Sequence, residues 1–273
     1  MNYKSMTVCL DSRKDAPERL GFAFKLAKQH EAHLTGMYMT YVPVIYYDPY
    51  GQWGPIMTQW EADEKKKYEV AKEEASRQAE KEGVSFEWVG YRSSERQQAI
   101  AHARGYDLTI LAQRDTSDND TDFGNDFYDG FVLKLGRPVL YLPHHHSLPH
   151  RFDRIVIAWD GSREATRAIS DALPILKRAK QIRVITIAEV SKDESHKVDI
   201  KTYLTRHGLQ IELEQLHSSS VTPAEKLLSR SSELKGDLLV MGAYGHHRLT
   251  ELVLGGTTRA IMKDMTLPVL MSH

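Results

Sequence analysis

Residues 238–258 read LLVMGAYGHHRLTELVLGGTT. The first four, Leu238 to Met241, are an unbroken apolar run after an acidic turn, the pattern of a strand buried in a parallel sheet. Gly242 and Gly245 follow, with freedom for positive φ and for close backbone approach to a ligand. Nine residues on, Gly255-Gly256-Thr257-Thr258 stands where a last helix, Arg259 to Lys263, begins. Unpaired amide hydrogens, two hydroxyls and the positive end of a helix dipole then fall together. Strand, glycine loop and helix make the unit of an α/β fold, and this loop suits an anion, most naturally phosphates. Two ordinary glycine turns would leave the same letters, so the rest of the chain has to decide.

Working outward, the run recurs. Asp107-Leu-Thr-Ile-Leu-Ala matches Asp237-Leu-Leu-Val-Met-Gly 130 positions later, and Pro138-Val-Leu-Tyr matches Pro268-Val-Leu-Met at the same offset. Near the start, Thr7-Val-Cys-Leu-Asp11 pairs with Val156-Ile-Ala-Trp-Asp160. Asp11 lies 96 positions before Asp107 but Asp160 only 77 before Asp237, so the first half carries 19 extra residues, placed in Tyr41 to Trp60. A repeat this long predicts tandem domains rather than a solenoid, with bounds of 1–146 and 151–273.

Strand and helix patterns alternate in each half, which implies parallel strands joined by crossover helices. The second half predicts strands at Arg154–Trp159, Ile182–Ala188, Gln210–Leu216, Asp237–Met241 and Leu267–Met271. Its helices fall near Ser162–Lys180, Ser195–His207, Pro223–Leu234 and Thr257–Lys263, the third opened by the capping box Thr222-Pro-Ala-Glu225. The first half predicts strands near Met6–Leu10, His33–Tyr38, Phe86–Gly90, Asp107–Ala112 and Pro138–Tyr141. Its helices fall near Ala16–His30, Thr58–Glu82, Glu95–Arg104 and Asn125–Leu135. The fold class is therefore α/β, two tandem doubly wound domains of five parallel strands. In such folds ligands bind beyond the carboxyl ends of the strands at the switch point, where Asp160 and Gly242 both stand.

The spacing Gly, two residues, Gly, nine residues, Gly and a small hydroxyl residue resembles the nucleotide loop of the universal stress protein family, ATP-binding branch. Gly256 stands where that family usually has Ser or Thr, with Thr257 next. Ile155-Val-Ile-Ala-Trp-Asp160-Gly-Ser resembles the family's first strand, which ends in an aspartate that contacts the nucleoside. The resemblance implies ATP, or AMP or ADP, in the second domain of a tandem adenine nucleotide alpha hydrolase-like fold. It implies ribose on Asp160, adenine against the main chain of Ala158 and Ile187, with Trp159 and Met241 adjoining, and phosphates on Gly242, Gly245, Gly255, Gly256 and Thr257. Thr258 is a second hydroxyl and His246 a neighbouring cation. Mg²⁺ or Mn²⁺ is implied as an ion held mainly by the phosphates, with no protein metal site and no catalytic residue.

In the first half the same positions are Ala112, Asp115, Asn125 and Asp126, and every glycine is gone. Asp115, Asp118, Asp120, Asp122 and Asp126 repel a triphosphate rather than cradle it. Their alternation resembles a calcium loop, but the required glycine and closing glutamate are missing, so a solvated acidic loop is the simpler reading. His144-His145-His146 and His150 read as solvated linker. The insertion Tyr41-Val-Pro-Val-Ile-Tyr-Tyr-Asp-Pro-Tyr-Gly-Gln-Trp-Gly-Pro is too apolar to stand free and too broken for a helix, so it should pack on something.

The 273 residues are 41% hydrophobic and 27% charged, with net charge −1, which gives no field to gather nucleic acid or anionic lipid. No apolar run reaches membrane-spanning length, MNYKSMTVCLD passes into a strand without a signal-peptide core, and Cys9, alone in the chain, suits a buried structural thiol. Cytoplasm is the expected location. Pro138–Leu142 and Pro268–Ser272 predict a pseudo-dimer within the chain, Val139-Leu-Tyr antiparallel to Val269-Leu-Met, with a further homodimer open through the aromatic insertion. A stress-response nucleotide binder leads. A slow ATPase or nucleotidyl transferase of the same superfold and a nucleotide-free interaction scaffold stand as the other readings; no SGGxDS or HIGH-like motif favours the enzyme.

Overall fold

The computed structural model describes residues 2–42, 53–114, 125–144, 146–188, 199–217, 221–245 and 256–273. The first half supplies strands β1 (Ser5–Leu10), β2 (His33–Thr40), β3 (Phe86–Arg92), β4 (Leu108–Ala112) and β5 (Val139–Leu142). The second supplies β6 (Arg154–Ala158), β7 (Gln181–Ala188), β8 (Glu212–His217), β9 (Leu238–Gly242) and β10 (Val269–Ser272). Between them run α1 (Ala16–His30), α2 (Trp53–Glu82), α3 (Arg96–Ala103), α4 (Asn125–Leu135), α5 (Arg163–Leu176), α6 (Ile200–Arg206), α7 (Pro223–Glu233) and α8 (Gly256–Asp264).

All ten strands join one sheet in the order β3-β2-β1-β4-β5-β10-β9-β6-β7-β8. Pairing is parallel within each half, as βαβ crossovers require. It turns antiparallel only at the seam, where Tyr141, Leu140 and Val139 face Val269, Leu270 and Met271. The strand pairing expected from the two apolar terminal runs is the one observed. Two cores cover the sheet, and both run through the two halves. One holds buried residues of α1, α2, α5 and α6, including Phe24, Ala75, Ile169 and Leu204. The other holds those of α3, α4, α7 and α8, including Ile100, Phe131, Leu227 and Ile261.

The repeat anchors have mechanical roles. The Asp107 carboxylate accepts the N–H groups of Lys4 and Ser5 at 2.7 and 3.1 Å, clamping the start of β1 to β4. Asp237 does the same at β6, accepting from Asp153 and Arg154 at 3.0 and 2.8 Å. The Thr222–Glu225 capping box forms as expected, Thr222 Oγ1 accepting from the Glu225 N–H and the Glu225 carboxylate from the Thr222 N–H. Cys9 is buried, and desolvation drives its thiol pKa well up, which keeps the thiol protonated.

Two helix starts shift. Helix α2 begins at Trp53 rather than Thr58, inside the insertion whose prolines and glycines argue against a helix. Gly54 and Pro55 sit in the first turn, where a proline costs no hydrogen bond. The helix is mostly exposed, with Glu64, Ala75 and Ala79 its buried contacts. Helix α6 begins at Ile200 rather than Ser195, its Asp199 cap accepting from the Thr202 N–H; residues 189–198 lie outside the described residues. So do residues 43–52 of the insertion, His145 and the acidic positions Asp115, Asp118, Asp120 and Asp122.

Candidate functional site at the second switch point

Each half reverses its strand order at one place, between β1 and β4 and between β6 and β9. In the second half, β6 ends at Ala158 and the chain turns through Trp159, Asp160 and Gly161 into α5. Asp160 is exposed and its Oδ1 accepts the Ser162 N–H at 2.9 Å. Gly161 lies between them at φ +77°, the left-handed region that an L side chain resists. Ser162 then caps α5, accepting from Ala165 N at 3.1 Å. A carboxylate and a helix N-terminus are thus set side by side at a strand end.

The loop after β9 packs on this turn. A Cβ on Gly242 would come within 2.5 Å of Ala165 N and 2.7 Å of Glu164 C. A Cβ on Gly245 would lie 2.9 Å from Glu164 Oε2 and 3.4 Å from Ser162 Oγ. Tyr244, at φ +59°, donates its N–H to Thr258 Oγ1 at 3.2 Å, tying the loop to the first turn of α8. Asp160, Ser162, Gly242, Gly245 and Thr258 therefore belong to one place.

The candidate residues divide by role. Ala158 and Ile187 are half-buried and Met241 buried on the same sheet face, that of α7 and α8. The Trp159 side chain lies in the opposite core and the Trp159 main-chain N–H donates to the Ile185 carbonyl at 2.9 Å, so the residue acts as a fixed strut. Thr258 is 3% exposed with its hydroxyl oxygen engaged by Tyr244. Gly256 is exposed and Thr257 half-buried at the open end of α8. His246 and Gly255 lie outside the described residues. The expectation that Gly242 and Gly245 use positive φ is corrected: neither does, and among the described residues of these two turns the left-handed ones are Gly161 and Tyr244. Gly242 is glycine because the first turn of α5 presses against it.

Glu164 escaped the sequence reading. It is 7% exposed, its Oε1 meets the Arg163 guanidinium at 3.1 Å, and its Oε2 points to the Gly245 position. The available signal was its place in Asp160-Gly-Ser-Arg-Glu, where an acid in a first helical turn suits the dipole.

The first switch point is filled from within. Asp11 makes the same turn, accepting the Arg13 N–H at 3.1 Å. Here, however, it is 8% exposed and bound to Arg13 at 2.9 Å and Arg19 at 3.0 Å, both guanidiniums buried. Burial alone raises the Asp11 pKa; Arg19 and then Arg13 outweigh that and hold it below the usual carboxylate value. Arg13 also donates to the Gln113 carbonyl beyond β4 at 3.3 Å, so its side chain crosses from β1 to β4. At the Asp11–Asp160 offset, Ser162 and Ala168 stand where Arg13 and Arg19 do, so the two arginines that bury Asp11 have no counterpart at those positions.

Comparison with known proteins follows this architecture. The universal stress protein family model matches residues 2–123 and again 151–273. A universal stress protein of Synechocystis, Slr1230, is 27% identical over 144 residues, 51% of this chain and 48% of that protein, so the match spans about half its length. The structure of a universal stress protein from Archaeoglobus fulgidus overlays with a TM-score of 0.75 at 16% identity, covering 98% of this chain and 95% of that one. A protein described as functionally unknown from Pseudomonas aeruginosa overlays at 0.66 and 16%, covering 99% and 92%. At these identities the overlays speak to fold alone, but two family matches spanning both halves show that the chain belongs to the universal stress protein family.

Proposed function

We propose that the protein is a cytoplasmic stress-response regulator that binds one adenine nucleotide, ATP or its relatives AMP and ADP, in a second domain running from residue 151 to 273. The carrying observation is the contrast between the switch points: Asp11 is locked between two buried arginines, whereas Asp160 is exposed beside the capped N-terminus of α5. In this reading Asp160 receives the ribose and the half-buried Ala158 and Ile187 flank the adenine. Gly245, Gly255, Gly256 and Thr257 surround the phosphates at the N-terminus of α8. The first domain, 1–146, serves as a nucleotide-free partner.

Mg²⁺ or Mn²⁺ accompanies the phosphates and is held mainly by them. The Glu164 carboxylate beside Gly245 supports such an ion, because it opposes a bare triphosphate at close range. Isothermal titration with ATP and Mg²⁺ should give one site per chain, and Asp160→Ala should weaken it at least about tenfold, or ~1.4 kcal/mol. Gly245→Asp, which sets a second carboxylate against Glu164, should weaken it by at least as much. Chelating the divalent ion should cost ATP more affinity than AMP. Two equivalent sites per chain, or unchanged affinity in a folded Asp160→Ala protein, would overturn the assignment.

A further inference from the structure

At the opposite end of the strands, between α1 and α5, lies a cavity of about 190 Å³ that no part of the nucleotide site uses. Its walls come from both halves: Leu26 and His30 from α1, Ile175 from α5, Arg178 just beyond it, and Arg151 and Phe152 from the connection into β6. Leu26, Phe152 and Ile175 are buried and make one side apolar. Arg151 and Arg178 are exposed and place two guanidiniums at the rim. Arg151 pairs with Asp153, while Arg178 makes no ion pair among the described residues.

His30 is the unusual wall. It is 1% exposed, its ring rests against Tyr3 with centroids 5.1 Å apart, and its Nδ1 is buried without a hydrogen-bond partner. A buried polar atom left unpaired in a folded protein is costly. Burial, and then the nearby Arg178 charge, push its pKa down to about 4, so the ring is neutral at pH 7. Roughly six waters would fill the space, but three apolar side chains give them poor partners.

The geometry points to a binding site for a small organic anion, a short-chain carboxylate whose charge meets Arg178 and Arg151 and whose hydrocarbon part lies against Leu26, Phe152 and Ile175. The cavity is below the size of ordinary drug-sized ligand pockets, which limits the ligand to a few carbon atoms. Its walls are shared by the two halves, so an occupant would touch both.

Butyrate is the probe, with butyramide as the uncharged analogue and inorganic phosphate as the anion without a hydrocarbon part. The His30 ring resonances of the full chain should shift saturably with butyrate. Arg178→Gln, an exposed substitution that leaves the core intact, should weaken butyrate at least about fivefold, and both control molecules should bind more weakly than butyrate. No saturable shift with butyrate, an unchanged affinity in Arg178→Gln, or phosphate or butyramide binding as well as butyrate would each overturn the proposal. The readout is independent of the nucleotide: failure of ATP binding leaves it unaffected, and its own failure leaves the switch-point site standing.

Discussion

Gly242 shows how one residue can be legible in place while a cause of its identity lies elsewhere in the chain. Its position after an apolar run marks the end of a buried strand, and the strand ends there. The backbone of Ala165, 2.5 Å from where a Cβ would lie, is enough to make a side chain intolerable there. Gly242→Ala should therefore destabilise the protein by about 1–3 kcal/mol through overpacking, whether or not nucleotide is present. An unaltered unfolding midpoint in urea would sink that account. His30 carries a second expectation. Its pKa falls from 6.5 to about 4 on folding, so the unfolded chain binds the extra proton. The associated stability is present above about pH 6.5 and is lost as the pH drops towards 4. His30→Gln should flatten the fall in stability over that window relative to the parent chain, and parallel curves for the two proteins would refute it. Neither the cramped contact at Gly242 nor the orphaned imidazole is written in local sequence, because each depends on an element remote in the chain.

At the scale of elements, the alternation of apolar runs and capping signals made nearly every strand and helix legible. Local periodicity decides them, and burial in a parallel sheet reinforces it. Boundaries slipped where side chains outside the periodic core set them, as with Trp53 at the start of α2 and the Asp199 cap of α6. The loss of glycines from the first-half loop was also legible. The plug was not: Arg13 before α1 and Arg19 in its first turn look like solvated charges, and only the turn that buries Asp11 brings them together. This cluster binds the end of β1 to α1 and, through Gln113, to β4. Asp11→Asn would leave the two buried guanidiniums only the half-buried Asp15 carboxylate, 3.0 Å from Arg19 and 3.9 Å from Arg13, and should cost about 3 kcal/mol, the low end of the range for a broken buried pair. The corresponding Asp160→Asn, at an exposed position, should cost far less, so equal losses in thermal unfolding would contradict the asymmetry. Because the folded Asp11 pKa lies below that of the unfolded chain, the cluster's contribution is present above about pH 4 and fades on acidification below it.

Over the whole molecule, the 130-residue offset shared by two pairs of anchors predicted the duplication, and the apolar terminal runs predicted how the copies meet. The seam between β5 and β10 joins two five-stranded sheets and removes an exposed edge from each. Other contacts reinforce it. The Tyr3 hydroxyl donates to the Asp171 carbonyl at 2.6 Å, Arg167 donates to the Gly136 carbonyl at 2.7 Å, and the Gln113 amide donates to the Lys263 carbonyl at 2.7 Å. Phe22 and Phe152 pack with ring centroids 5.8 Å apart. The halves are thus held by a buried strand pair and side-chain bonds on both sides of it, not by the covalent link alone. Cutting the chain at a protease site built into the connection near Leu148 should leave two fragments that travel together as one particle of 31.2 kDa and unfold in one transition. Leu140→Asp, at a fully buried position opposite Leu270, should release the cut fragments from each other. If the cut parent chain separated on size-exclusion chromatography without that substitution, the seam would not be the interface that holds the molecule together.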